Sequence, residues 1–404
     1  MNVLFLTMVK IEIDKRDIYN DLMRKFRDEG HEIYIVTPTE RREGCTTTVV
    51  NENGVHILSV QTLNLQKTNI VEKALGQILL EFLYQRAIKK YYGNVKFDLI
   101  LYSTPPITFT KVIAWAKKQN PSAKSYLMLK DIFPQNAVDL GILTKSGVKG
   151  LLYKAFRRKE LRLYEISDYI GCMSPANVKY ILENNPMLEA TKVEICPNSL
   201  ELVESDNSEK QSSIDILNKY QIPTDKTIFI YGGNLGAPQG IPFLIKCLDA
   251  NRDRNDCHFI IVGSGTYYQE LAVWYQKINP KSITVIKELP KEEYDNLVKS
   301  CHVGLIFLDY RFTIPNFPSR LLSYLEYKMP VICATDPICD EGSIALENGF
   351  GLWCPSNDVD AFTKCVDNLL ASDIKTLGRN GYKFLCNNYL VGNTYNIIMK
   401  HFAV

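Results

Sequence analysis

Three glycines crowd one turn of the chain, Tyr231-Gly232-Gly233-Asn234-Leu235-Gly236, and Gly240 follows after Ala237-Pro238-Gln239. The apolar run Thr227-Ile228-Phe229-Ile230 leads into the turn, and a helical pattern, Ile241 to Leu248, leads out of it. A strand that empties through glycines into a helix outlines a phosphate cradle. Glycine lets the backbone approach an anion closely, and a helix N-terminus offers free N–H groups and partial positive charge. The same junction also joins strands to helices in any α/β unit, so the turn needs support from elsewhere. Arg320 offers it. This residue ends the stretch Asn316-Phe317-Pro318-Ser319-Arg320 and opens a helical pattern, Leu321–Lys328, where a cation opposes the helix dipole. A guanidinium there makes sense beside an anion gripped by its fork of N–H groups; the alternative is a solvated surface arginine.

Two further pieces lie between these. Val262-Gly263-Ser264-Gly265 is a second strand running into a glycine turn, and Glu288-Leu289-Pro290 follows a third strand, where backbone groups could read a base edge. Other patterns point away from chemistry. Asp358-Val359-Asp360 has the form of a metal-binding acidic pair, but it opens a helix that runs to Leu370, and capping with the helix dipole accounts for both acids. His31, His56, His258, His302 and His401 show no ligand spacing, and no metal site is expected. A G-x-S-x-G nucleophile turn and a P-loop lysine are absent, and no G-x-G-x-x-G follows the first strand, which argues against a dinucleotide oxidoreductase.

The elements that must position these residues alternate almost throughout. Strands are expected at Asn2–Thr7, Glu32–Thr37, His56–Val60, Leu99–Ser103, Ser125–Leu129 and Tyr169–Cys172. Helices are expected at Ile18–Asp28, Val71–Tyr92, Ile107–Lys118, Gly150–Glu165 and Ala176–Glu183. Leu202–Ser213 breaks the rhythm: it is polar, aperiodic and rich in serine and acids, and reads as a linker or exposed loop. Alternation then resumes with strands at Thr227–Tyr231, His258–Val262, Ile283–Ile286, Val303–Phe307, Val331–Cys333 and Phe350–Trp353, and helices near Asp358–Leu370 and Ile374–Cys386. The pattern predicts two doubly wound parallel sheets, each binding ligands at the carboxyl ends of its strands, with a cleft between them.

Bulk properties agree with this. The 404 residues suffice for two cores, and 46% hydrophobic with 23% charged residues is ordinary for a globular protein. A formal net charge of +2 gives no global field that would favour nucleic acid. The 11 cysteines are scattered without a CxxC pair, which fits reduced, buried thiols in a cytoplasmic protein. The N-terminal Met1–Thr7 reads as a first strand, not a signal peptide, and no apolar stretch is long enough to span a bilayer.

In order and surroundings, three blocks resemble one family. They are Lys130-Asp131-Ile132-Phe133-Pro134-Gln135, the Tyr231–Gly236 turn with Gln239-Gly240, and the Phe312–Asp336 block with Tyr324-Leu325 and Pro330-Val331-Ile332. Along its whole length the chain resembles glycosyltransferases of the GT-B architecture, in the large retaining family four. It is most similar to the branch that assembles bacterial capsule, O-antigen and colanic acid polysaccharides, including L-fucosamine transferases. The resemblance implies an α/β fold of two Rossmann-like domains facing across a cleft. Residues 1–200 would bind the acceptor, 201–213 would link, 214–386 would bind the nucleotide sugar, and 387–404 would form a helix packing back on the first domain.

The donor, by analogy a UDP-sugar, would meet Gly232, Gly233, Asn234, Leu235, Gly236, Gln239, Gly240, Gly263, Gly265, Leu289, Ser319, Arg320 and Ser323. Arg320 and the turn amides would stabilise the leaving diphosphate, and no metal or other cofactor is implied. Asp131 falls where relatives place a functional histidine or carboxylate, so it is the catalytic candidate beside Arg320; capping of the following segment is the alternative. Lys15, Arg16, Lys130 and Asp131 are the implied acceptor-side residues. The chain departs from the wider family in three ways. Pro315 and Ser323 stand where many members carry a glutamate pair, Asn234 and Gln239 where many carry a basic pair, and Lys10–Arg16 replaces an N-terminal glycine pair.

The implied acceptor is a saccharide on undecaprenyl diphosphate, which makes a membrane surface a candidate partner and the inner membrane a candidate peripheral location. The segment Leu151–Tyr164 mixes aliphatic, aromatic and basic residues, with Leu152, Ala155, Phe156 and Leu163 near one face and Arg157, Arg158 and Arg162 near another. Such a helix suits an anionic bilayer, or simply packs on a sheet with a solvated basic face; Tyr84–Tyr92 is similar. Two other readings compete: a UDP-sugar 2-epimerase of the same fold, and a non-catalytic sugar-nucleotide-binding subunit of another transferase. A convincing carboxylate–histidine set for the first is not evident.

Overall fold

Short runs of branched and aromatic residues become buried strands in both halves of the chain, and longer amphipathic segments become the helices between them. The computed structural model describes residues 1–65, 70–202 and 215–402. Most of the expected linker, from Val203 on, lies outside the described residues. The chain divides into two units: Met1–Glu201 with Val391–Val404, and Leu202–Leu390.

The first unit holds β1 (Asn2–Leu6), β2 (Glu32–Glu40), β3 (Thr48–Glu52), β4 (Val55–Thr62), β5 (Leu99–Ser103), β6 (Lys124–Leu129), β7 (Tyr169–Cys172) and β8 (Val193–Ile195). They form one sheet in the order β3-β4-β2-β1-β5-β6-β7-β8. Every pairing is parallel except β3 with β4, an antiparallel edge whose β3 residues are all exposed. Neither β3 nor the three-residue β8 is among the expected strands. The first helix, Ile18–Asp28, is capped by Asp17, whose carboxylate accepts from the Tyr19 amide at 2.9 Å. Ser174 caps the helix Pro175–Asn184, accepting from the Asn177 amide. The closing helix, Val391–Met399, lies on Ile18–Asp28 through Tyr395, whose ring is 5.0 Å from Phe26 and whose hydroxyl is 2.9 Å from His31 Nε2.

The second unit holds β9 (Thr227–Asn234), β10 (Cys257–Ser264), β11 (Ile283–Ile286), β12 (Val303–Phe307), β13 (Val331–Thr335) and β14 (Gly351–Pro355), all parallel, in the order β11-β10-β9-β12-β13-β14. This unit's first strand therefore lies in the middle. The chain winds outward through β10 and β11, returns to β12, and winds the other way. Such a reversal opens a crevice at the carboxyl ends of β9 and β12, where ligands of doubly wound sheets bind. Register makes the crevice concrete: β9 pairs with β10 as far as Asn234 but with β12 only as far as Ile230. Phe229, Tyr231, Phe259, Ile261, Leu305 and Phe307 fill the core of this unit. Asp358 caps the helix Val359–Leu370 through the Ala361 amide at 2.9 Å, the structural role expected of that acid.

Candidate functional site

Tyr324, on the helix Arg320–Glu326, fills the gap where β9 and β12 part. Its hydroxyl accepts from the Gly232 amide at 3.3 Å and donates to the Ile230 carbonyl at 3.2 Å. The ring fits because Gly304 has no side chain: a Cβ there would lie 2.3 Å from it. Gly232 serves a similar end, since its Cβ would lie 1.9 Å from the Tyr294 hydroxyl. Part of the glycine pattern is thus explained by aromatic packing under the turn. Gly233 differs. It is exposed, has φ +127°, and a Cβ on it would stand 3.2 Å from Arg320 Nη2.

Arg320 is the first residue of its helix, half-buried, with its guanidinium carbon 4.4 Å from the Tyr231 ring centroid. That cation–π contact and a buried surrounding fix the fork in place. Its Nη1 is buried without a hydrogen-bond partner. Burial works against the charge, but the facing Tyr231 and Tyr324 hydroxyls hold its proton affinity above the usual arginine range. A rigid guanidinium with an unused N–H at a strand-end crevice is equipped to take an oxyanion.

The rest of the turn is well ordered. Asn234 Nδ2 donates to Gln239 Oε1 at 3.0 Å, and the Leu235 amide is spent on the Ser264 carbonyl at 2.9 Å, so Leu235 does not offer a free N–H. Gly240 adopts φ +57° and opens the helix Ile241–Ala250. Gly263 and Gly265 pack against the backbone of Gly233 and Leu235. Ser264 joins the second and third sequence pieces by donating to Glu288 at 2.7 Å, next to half-buried Leu289. Ser319 is exposed, and the Ser323 hydroxyl donates back to the Arg320 carbonyl at 2.9 Å. Arg311, which sequence reasoning missed, belongs to a loop whose Asp309 amide donates to the Pro238 carbonyl at 2.9 Å. Its guanidinium is held by Asp309 at 2.8 and 2.9 Å.

In the first unit, Asp131 follows β6 at the sheet's carboxyl end. Its backbone is fastened by Thr104 Oγ1, which accepts from its amide at 3.2 Å and donates to its carbonyl at 3.1 Å. The carboxylate is exposed and takes no hydrogen bond among the described residues. It caps nothing: the next helix starts at Gln135 with Pro134 at its cap position. The protein mass around it pushes the carboxyl up to about 6 by desolvation. Lys130 points elsewhere. Half-buried, it lines a small cavity with Tyr19, Asn198 and Thr394, and burial pulls its ammonium down to about 8 against the raising influence of Cys196 and Cys172. Lys15 is exposed and ion-paired with Glu12, and Arg16 donates to the Glu201 carbonyl at 2.6 Å.

The expected basic face of the helix Gly147–Ile166 needs correction. Arg157 turns inward, donating to Glu160 and Asn185 at 2.5 Å each, and Leu163 is fully buried, whereas Arg158 and Arg162 stay exposed. The apolar surface lies at the helix's start: Val148 is 87% exposed, Leu151 69% and nearby Ile142 60%. On Tyr84–Tyr92, Tyr84, Ile88 and Tyr92 are buried and Arg86, Lys89 and Lys90 are solvated, so that segment simply packs on its sheet. No helix among the described residues is long and apolar enough to cross a membrane. No group of metal-binding side chains occurs among them.

Residues 212–384, which contain the whole Arg320 crevice, match the family described as glycosyl transferases group 1. A curated relative, "Probable glycosyltransferase WbjE" of Pseudomonas aeruginosa, is 22% identical over 332 residues, 80% of this chain and 78% of its own length. Among solved structures, sucrose-phosphate synthase from Thermosynechococcus elongatus superposes with TM-score 0.75 at 14% identity, covering 99% of this chain and 98% of that one. Anabaena HepE in complex with UDP gives 0.68 at 13% identity, covering 100% and 99%. The fold is GT-B and the enzyme is a glycosyltransferase.

Proposed function

We propose that the protein transfers a sugar, with retention at the anomeric carbon, from a UDP-sugar to a lipid-linked saccharide during surface-polysaccharide synthesis. The observation that carries the donor half is Arg320, held on Tyr231 beside Gly233, with Nη1 unpaired at the crevice of the second unit. In this reading the diphosphate takes Nη1 and the exposed amides of the turn. As the bond from the sugar to the diphosphate breaks, those groups stabilise the charge that grows on the leaving oxygen, without a metal ion. The UDP complex of the HepE fold relative supports a uridine nucleotide.

The acceptor half is assigned to the first unit, with Asp131 as the group that takes the proton from the attacking hydroxyl. A carboxyl raised toward about 6 remains mostly ionised at neutral pH and is a better base than an ordinary aspartate. A lipid-linked acceptor agrees with the exposed Ile142, Val148 and Leu151, which lie among Lys145, Lys149, Lys154 and Arg158, all exposed. The test is transfer from UDP-sugars to undecaprenyl-diphosphate-linked saccharides. Formation of a longer lipid-linked saccharide is expected; breakdown of donors with water alone, across a broad acceptor panel, would count against the acceptor class.

A further inference from the structure

Glu341 is a charged residue the proposed mechanism does not use. It opens the helix Glu341–Glu347 with 0% of its surface exposed, and neither carboxylate oxygen has a hydrogen-bond partner among the described residues. A carboxylate so isolated is strongly disfavoured unless a countercharge is close. Arg320 is the cation that acts on it. Arg320 follows β12 and Glu341 follows β13, which are neighbouring parallel strands, so both stand at the same end of the sheet. The two loops are tied together, since Cys339 Sγ donates to the Asn316 carbonyl at 2.9 Å. The Cys339 amide in turn donates to Asp336 Oδ1, also at 2.9 Å. Gly342 presses the new helix onto β14, where a Cβ would lie 2.0 Å from the Trp353 ring. Glu341 is therefore held firmly in place at the end of the sheet where Arg320 also lies. No ion pair joins the two residues among those described, and each keeps unused hydrogen-bonding capacity: both oxygens of Glu341 and Nη1 of Arg320.

We propose that Glu341 is a positioning residue for Arg320, a buried countercharge that competes with an incoming diphosphate for the guanidinium. The inference rests on the reading of Arg320 as the diphosphate-binding cation. The groups that interact electrostatically with Glu341 are Arg320 from its helix, Cys339 and Asp340 from the preceding loop, Cys333 from β13, and Tyr389 beyond the helix Ile374–Asn388; Asp336 acts on Cys339 beside it. Burial pushes the Glu341 carboxyl well above the ordinary glutamate range, Arg320 pulls it down, and Asp340 pushes it up. Burial also raises the thiols of Cys333 and Cys339 and the phenol of Tyr389, which keeps those three neutral near pH 7. An anion on Arg320 offsets the downward pull of that guanidinium. Glu341 then takes a proton from solvent as the diphosphate binds, and the competing negative charge disappears. Above the pH at which Glu341 ionises in the free protein, that protonation opposes binding; below it, the opposition is gone.

The experiment measures UDP affinity by calorimetry from about pH 6 to 9 for wild type, Glu341→Gln and Arg320→Ala, with thermal melts as a check on folding. The glutamine keeps the shape and removes the charge. It is expected to bind UDP more tightly than wild type, by a ratio that grows with pH to about five-fold or more. Ionisation of UDP itself is common to both proteins and cancels in the ratio. Equal affinities at every pH would overturn the role of Glu341, provided Arg320→Ala weakens binding. Unchanged UDP affinity in Arg320→Ala would instead defeat the donor-site reading beneath it. If the glutamine variant does not fold, wild type is titrated with UDP-glucose, whose diphosphate does not titrate in this range, in two buffers of different ionisation heat. Uptake of part of a proton is expected, and none would overturn the proposal.

Discussion

The Arg320 guanidinium lies 4.4 Å from the centroid of the Tyr231 ring, and Tyr231 is itself anchored by its hydroxyl donating to the Asn234 carbonyl at 2.7 Å. The cation is thus fastened to the very turn whose glycines suggest a phosphate site. Binding an anion requires little reorganisation of either partner, and a fixed charge is worth more than a mobile one.

Arg320→Ala is expected to weaken UDP binding about 10- to 100-fold, the range for losing a charge-assisted hydrogen bond. Arg320→Lys should recover only part of this, because an ammonium is a point charge that cannot present a fork of N–H donors. Titration calorimetry reads both; a lysine variant with full affinity would show that charge alone matters.

Asp131→Asn should lower turnover about 10²- to 10⁴-fold while leaving UDP affinity and the melting temperature close to wild type. The base form must be ionised, so wild-type turnover should fall as pH drops through about 6, and the asparagine variant should lose that limb. A pH–rate profile of donor consumption decides it. Wild-type turnover in the variant would remove Asp131 from the chemistry.

Gly304→Ala should destabilise the second unit by about 1–3 kcal/mol, because a methyl group has no room beside the Tyr324 ring. Tyr324→Phe should cost a similar amount by a different route, leaving the buried Gly232 amide and Ile230 carbonyl without their bridge. Chemical denaturation measures each. A neutral Gly304→Ala would mean that the helix Arg320–Glu326 shifts freely, contrary to its tight seat.

Leu151→Asp with Val148→Asp should sharply reduce binding to vesicles of anionic lipid without changing UDP affinity, and wild-type binding should weaken with salt. Sedimentation with vesicles reads this directly. Equal sedimentation of variant and wild type would point away from this patch as the membrane contact.

How much of this was legible beforehand follows from where the information lies. Strands such as Leu99–Ser103 and Val303–Phe307 are wholly buried, so each reads as an unbroken apolar run with the same bounds in the structure. The edge strand Thr48–Glu52 is exposed on every residue and carries no such signal. Arg320 was visible because a cation at a helix start conflicts with a local rule. Glu341 was not: Asp340-Glu341-Gly342 looks like an ordinary acidic helix start, and its full burial is a tertiary fact of a loop tied by Cys339 to Asn316 on another segment. Tyr294 against Gly232 is likewise a tertiary fact, for which a glycine in a turn gives no hint of the ring it admits.

The most direct test of the central claim is ligand-observed NMR of the purified protein with UDP-, GDP- and dTDP-sugars, following both binding and donor breakdown. Selective binding of UDP-sugars, with slow release of UDP and loss of both effects in Arg320→Ala, is the result predicted. Binding of none of these nucleotides would contradict the assignment of the Arg320 crevice as the donor site.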